Sequence, residues 1–316
     1  MDGHVLRLEF SCKNGHRIKW SSSSILGNKY TANCRMIHGF SSCGILESQY
    51  QGFAEAAKIG NVGDKYIDYV YGTMGYMQTV LKAGDDCMTE QIHEVQNTDS
   101  YQQRNGATVI TDCRHDSTAN AYHSTVAMLS YETKHVVAVQ TVTKEVFRSS
   151  QTHEFEAMQQ IIPAVQAKGL TVIEVAHDFV LKIKNWLLTL NIQNSFDTWH
   201  GTKGVAKAMK EISCGAQKWE GEKWFAELSD KQASVKRHFY YSMKNCTSPD
   251  NLRRRLLTIL DHYRAITPIV ILTRNCHDTY WVESFNNVIL IYCPKRIHFA
   301  DRTFNMRIAL AVMDWN

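Results

Sequence analysis

The chain has no apolar run near the length of a membrane span. Its strongest short one is Ile269-Val-Ile-Leu272, which argues against an integral helical membrane protein. A secretory leader is missing as well, because Glu9, Lys13 and Arg17 interrupt any apolar stretch at the start. There is no CxxC pair. The nine cysteines are scattered and odd in number, which argues against a disulfide framework and for reduced thiols in an intracellular compartment. Charge of one sign is also scarce: a net charge of +4 permits a polyanion partner without requiring one. What remains is a chain of 316 residues, 44% hydrophobic and 21% charged, the composition of an ordinary globular protein with two or three structural units.

The most informative stretch runs from Ala107 to Asp178. Ala107-Thr-Val-Ile-Thr-Asp112 is a β-branched run suited to a half-buried strand. Ser124–Ser130 and His135–Thr143, joined by Tyr131-Glu-Thr-Lys134, read as an antiparallel hairpin. Phe155, Met158, Ile161, Ile162 and Val165 fall at helical spacing between Thr152 and Lys168, where Pro163 predicts a kink or a late start. Gly169 stops that helix, and Leu170-Thr-Val-Ile-Glu-Val175 leads to Asp178. A βββαβ order with carboxylates at the ends of its first and fourth strands is the layout of the ribonuclease-H-like fold. The expected class is therefore α/β, with a mixed sheet flanked by helices.

The rest of the chain divides around this unit. Residues 1–105 read as an α+β segment. Asn14-Gly15 predicts a hairpin over residues 5–20, and the apolar spacing from Gly44 to about Gln96 predicts helices. Residues 106–200 form the first part of the core, including an extended run from Ile192 to His200. Residues 201–275 read as a helical insertion, with Ser248-Pro249-Asp250 as a helix start. Residues 276–316 complete the core, with Trp281, Val282, Phe285, Val288, Ile289 and Tyr292 as a helical stripe and Glu283 nearly opposite.

Two cationic features suit phosphate contact: Arg253, Arg254 and Arg255, and the pair Lys295 and Arg296. A solvated helix face is the bland reading of such a run. Cys12 with His16, and Cys34 with His38, repeat a four-residue spacing that four zinc ligands could share; scattered side chains in a histidine-rich chain are the alternative. Phosphodiester chemistry with two divalent cations needs carboxylates that converge within about 4 Å of shared metals. Asp112, Asp178 and Glu283 are candidates from separate elements, and hard oxygen ligands suit Mg²⁺ or Mn²⁺. Taken alone, Glu283 is an exposed helix glutamate.

At these residues the sequence resembles the DDE transposases of eukaryotic cut-and-paste elements, most closely the Kolobok type. The matching pieces are Asp112-Cys-Arg-His-Asp116-Ser117, Ala176-His-Asp178, Asp197-Thr-Trp-His200, Thr279-Tyr-Trp-Val-Glu283-Ser-Phe-Asn-Asn287 and Tyr292-Cys-Pro-Lys-Arg-Ile-His-Phe299. The resemblance implies that Asp112, Asp178 and Glu283 hold two Mg²⁺ or Mn²⁺ ions. It also implies that His200 contacts the scissile strand or supports the site, and that Asp197 holds its surroundings. Either Asp112 or Asp116 could be the first acid; Asp112 is favoured because it directly ends the buried strand. The implied activity is DNA strand cleavage and transfer: water attacks a phosphodiester, and the freed 3′-hydroxyl then attacks target DNA. DNA as partner, action as a homo-oligomer and a nuclear location follow from the same resemblance.

Two departures touch the loops that aim the acids. Thr118-Ala119 stands where a Pro-Gly turn is expected, and Ala176-His-Asp178-Phe179 stands where Thr-Asp-Arg-His is expected. A shift of about 1 Å in such a loop can cost roughly a hundredfold in rate. No module that would read transposon ends is recognisable, which fits a fragment of a longer protein. The competing functional class is a domesticated, non-catalytic DNA-binding or chromatin protein that keeps the fold as scaffold. A third reading, a zinc-stabilised interaction module, rests only on Cys12, His16, Cys34 and His38.

Overall fold

The computed structural model describes residues 3–117, 120–178, 180–196, 198–214, 218–219, 222–223, 226–263 and 279–316. The N-terminal strands are β1 (Arg7–Ser11), β2 (Arg17–Ser21), β3 (Ile25–Leu26) and β4 (Lys29–Tyr30). Helices α1 (Thr31–Ser42), α2 (Glu47–Ala56), α3 (Asp64–Asp68), a π-helical turn (Tyr69–Thr73), α4 (Tyr76–Gln96) and α5 (Asp99–Arg104) follow. Then come β5 (Ala107–His115), β6 (His123–Ser130), β7 (Val136–Thr143), α6 (His153–Ala167), β8 (Val172–His177), α7 (Leu181–Thr189) and β9 (Gln193–Phe196). The remainder is α8 (Thr198–Cys214), β10 (Lys218–Trp219), β11 (Glu222–Lys223), a 3₁₀ turn (Ala226–Lys231), α9 (Gln232–Lys244), α10 (Pro249–Tyr263), α11 (Tyr280–Tyr292) and α12 (Asp301–Trp315).

The protein is of the α/β class, and the expected βββαβ succession is realised. Its central sheet has the order β7-β6-β5-β8-β9. β5, β6 and β7 pair antiparallel, whereas β8 joins β5, and β9 joins β8, in parallel. Parallel neighbours need a crossover, and α6 supplies it. That helix runs from His153 to Ala167 with Pro163 inside it, so the expected late start is not seen. Gly169, at φ +92°, then takes the left-handed conformation that ends it and returns the chain to the sheet.

The helix turns Phe155, Met158, Ile161, Ile162 and Val165 inwards onto Val126, Met128, Val137 and Val142. Each such side chain contributes about 1.5–3 kcal/mol by leaving water. A buried polar link ties the opposite side of the sheet. Glu174 on β8 meets the Arg104 guanidinium at 3.0 Å, Thr108 donates to it at 3.1 Å, and Ser195 on β9 also donates to it. Arg104 comes from α5, a short polar helix beyond the apolar spacing that ends near Gln96. Thr98 caps it, accepting from the Tyr101 amide at 3.3 Å.

Two compact units divide the chain. One comprises residues 1–90, 116–119 and 285–316; the other comprises 91–115 and 120–284. The first unit is anchored by Arg307 of α12. Its buried guanidinium donates to the Tyr292 carbonyl at 3.0 Å and to the Gly44 and Ile45 carbonyls at 3.4 Å, above the Phe299 ring. Gly44, at φ +72°, is required there, since a Cβ would stand 2.9 Å from Ile291.

The N-terminal hairpin is present, with a five-residue turn over 12–16 in which Gly15 takes φ +81°. Ser248 caps α10 as expected, its hydroxyl accepting from the Asn251 amide at 3.1 Å. The run after Ile192 departs from expectation: it is extended only to Phe196, and α8 begins at Thr198. Ile162→Ala should remove about 2–5 kcal/mol, because a fully buried side chain is replaced by a cavity in the helix–sheet seam. Chemical denaturation would read this as a lower midpoint at an unchanged slope.

Candidate metal centre

Parallel register brings the first two acids together. Val109 lies opposite Val175 and Ile110 opposite Ala176, the last pair of that ladder; Asp112 follows two residues later within β5, and Asp178 directly follows β8. Asp112 is half-buried and accepts from the Cys113 amide at 2.9 Å. One residue before Asp178, the buried His177 ring holds Asn194 of β9 at 2.6 Å, and burial lowers the pKa of that imidazole. The last turn of β8 is therefore tied to its neighbour where the chain leaves the sheet.

A third carboxylate joins them from a residue that the sequence reading did not select. Glu154 is in the first turn of α6, and its pKa is pushed up to about 8. Burial is the main cause, and the negative charges of Asp178 and Asp112 add to it. A carboxylate at a helix N-terminus is normally favoured by the helix dipole. Here desolvation and two like charges outweigh that effect. The same acids act on Cys113, whose thiol is raised well above its ordinary value, first by burial and then by Glu154, Asp112 and Asp178. Among the described residues the three carboxylates do not form a group with all ligand atoms within 4.8 Å, so the structure shows acids that share a field, whose like charges an added divalent cation would relieve.

A topological signal for Glu154 was available. β7 ends at Thr143 opposite His123, and β6 begins there, beside the end of β5, with Ser124 opposite His115. The connection over residues 144–152 leaves β7 on the side of the sheet where β5 and β8 also end, which puts the first turn of α6 within electrostatic reach of Asp112 and Asp178.

The remaining candidates are distributed elsewhere. Glu283 lies in the first turn of α11, half-buried, with its carboxylate 3.6 Å from Lys203 Nζ. It lines a cavity of about 690 Å³ with Thr202, Lys236, Arg237, Tyr240 and Tyr280. Asp116 belongs to the other compact unit, where its carboxylate lies within 4.8 Å of a His298 ring nitrogen. That pair offers metal-ligand chemistry of its own, without specifying the ion. Asp197 and the side chain of His200 lie outside the described residues. Arg253 and Arg254 are exposed on α10, while Arg255 donates to Asn251 at 2.9 Å. Lys295 and Arg296 are exposed in the turn after α11.

The zinc set is not assembled. Cys12 Sγ lies 3.4 Å from His16 Nδ1 across a hairpin turn, and His38 Nδ1 lies 3.0 Å from the Tyr76 hydroxyl. Among the described residues these four do not converge on one point. The reason is local: one pair closes a hairpin and the other spans one turn of α1.

Neither the protein-family models nor the curated proteins compared with this chain match it.

The raised Glu154 pKa has a thermodynamic sign. Its carboxyl keeps a proton to about pH 8 when folded but ionises near 4.5 otherwise, so folding is favoured less as pH climbs between those values. In chelator, the melting temperature should fall across that window. Glu154→Gln should flatten the slope, and Mn²⁺ should raise the melting temperature most at its alkaline end. A pH profile unaffected by Glu154→Gln would show that the three acids do not share a site.

Proposed function

We propose that the protein cleaves phosphodiester bonds of DNA with two Mg²⁺ or Mn²⁺ ions held by Asp112, Asp178 and Glu154. What supports this is placement: Asp112 lies near the end of β5, Asp178 directly follows the parallel neighbour β8, and Glu154 opens the crossover helix α6, where the charges of the other two act on it. When bound, such ions stabilise charge on the attacking and leaving oxygens of an in-line displacement. The protein's own contribution is positional. β5 carries the first acid, the second directly follows β8, the first turn of α6 brings the third, and the His177–Asn194 contact steadies the end of β8. Exposed Arg253 and Arg254 can hold a phosphate backbone without reading its sequence.

The finer reading is strand cleavage followed by strand transfer, as in the DDE transposases that the sequence resembles, by a chain acting in the nucleus as a homo-oligomer. In that reading Glu283 is an acid of the reaction, and the family resemblance supports it. Its ion pair with Lys203 supports instead a supporting or scaffold role, the one expected of a domesticated DNA-binding protein.

The test is nicking of short branched or nicked DNA in Mn²⁺. Asp112→Asn, Asp178→Asn and Glu154→Gln should each lose at least about a hundredfold in rate with folding intact, the loss that several kcal/mol of charge stabilisation implies. Glu283→Gln decides the finer question: an equal loss makes Glu283 an acid of the reaction, and retained activity confines the site to the first three. Binding of DNA by the wild type without any cleavage would overturn the catalytic reading in favour of the scaffold.

A further inference from the structure

The N-terminal hairpin is a ribbon with two unlike faces. Leu8 lies opposite Trp20 and Phe10 opposite Ile18, and these four side chains are 39–67% exposed. Side chains alternate along a strand, so Arg7, Glu9, Arg17 and Lys19 occupy the other face. Among the described residues this sheet contains β1 and β2 alone. An isolated two-stranded hairpin is marginal in water, and an edge strand is a template for further pairing.

The backbone identifies which residues face the outer edge. The Ser22 amide donates to the Leu6 carbonyl at 2.9 Å, and the Cys12 amide donates to the His16 carbonyl at 2.9 Å. Even-numbered residues of β1 therefore bond across the hairpin. The alternation of an antiparallel ladder turns the backbone groups of Arg7, Glu9 and Ser11 outwards.

We infer that this outer edge pairs antiparallel with the same edge of a second copy of the chain, about a twofold axis at Leu8. In that register Arg7 of each copy stands opposite Glu9 of the other. These are the residues whose backbones face outwards, so each pair exchanges main-chain hydrogen bonds as well as opposite charge. Leu8 meets its own counterpart on the apolar face. Neighbouring registers are worse: an axis at Glu9 opposes two carboxylates, and an axis at Phe10 sets Arg7 against Lys13. The edge of β2 has no opposite charges to pair: its outward residues are Arg17, Lys19 and Ser21, and axes at Ile18 or Lys19 oppose like charges. One edge is therefore self-complementary and the other is not. Joining through β1 closes a symmetric dimer with a four-stranded sheet, which stops rather than propagates.

The association needs neither DNA nor metal, so its test is independent of the catalytic reading. Sedimentation of the full chain in chelator should show a concentration-dependent dimer. Arg7→Glu and Glu9→Arg should each weaken it by roughly tenfold or more, since each makes both cross-copy pairs alike in charge. Mixing the two variants should restore association as a heterodimer, because one then supplies acidic and the other basic partners. Leu8→Cys should crosslink to itself under mild oxidation, with position 8 joined to position 8 in the peptide map, since facing residues of a non-hydrogen-bonded pair lie about 4.5 Å apart at Cα. A monomeric wild type, single variants that associate as tightly as wild type, a mixture that stays monomeric, no crosslink at position 8, or growth into open polymers would each overturn the inference.

Discussion

The parallel pairing of β5 with β8 is the constraint on which the site depends. Two strands that run the same way cannot be joined by a tight turn, so the chain must leave the sheet and return over one face. α6 makes that return, and its apolar side converts the crossover into the main hydrophobic seam. Parallel direction also makes both strands end at the same edge. Asp178 directly follows β8 there, whereas β5 runs on to His115, so Asp112 lies within its strand and not at its end as expected; α6 begins after the connection that leaves β7 on the same side of the sheet. Fold and site thus share one cause.

That cause has an electrostatic consequence. A core strand buried on both faces is cheap while its residues are apolar, and Ala107–Ile110 are fully buried. Beside it, low-polarity surroundings raise the free energy of a buried negative charge. Glu154 shows the result, since burial and two like charges override a helix terminus that would ordinarily favour ionisation. A cluster that is costly in the absence of cations is the kind of local conflict that tends to mark function rather than stability.

Much of the core was legible in the sequence because its signals are local. β-branched runs, a helical spacing of five apolar residues and a stop at Gly169 define strands and helix without tertiary help. Other features were not legible in that way. α5 is six residues long and polar, and its stability comes from Arg104 reaching Glu174, seventy residues away. The Asp197 region read as a continuing strand because Trp199 and His200 do not break one, yet the helix of α8 begins at Thr198. Glu154 escaped notice because a carboxylate in a first helical turn is ordinary helix chemistry. Only the sheet order makes it a neighbour of Asp112.

Glu154 and Glu283 are the two contrasting acids, and their surroundings explain why they need not be equivalent. The charges acting on Glu154 are both negative, so an added cation relieves it directly. Glu283 already has the Lys203 ammonium at 3.6 Å, in a cavity that also presents Lys236 and Arg237. For a metal to hold Glu283, that lysine must be displaced, or the metal must bind where cations are already concentrated. Both cost free energy that the Asp112–Asp178–Glu154 cluster does not demand. In the proposed reaction Glu283 therefore needs a rearrangement of its cationic surroundings that Glu154 does not, and this difference separates the two acids physically.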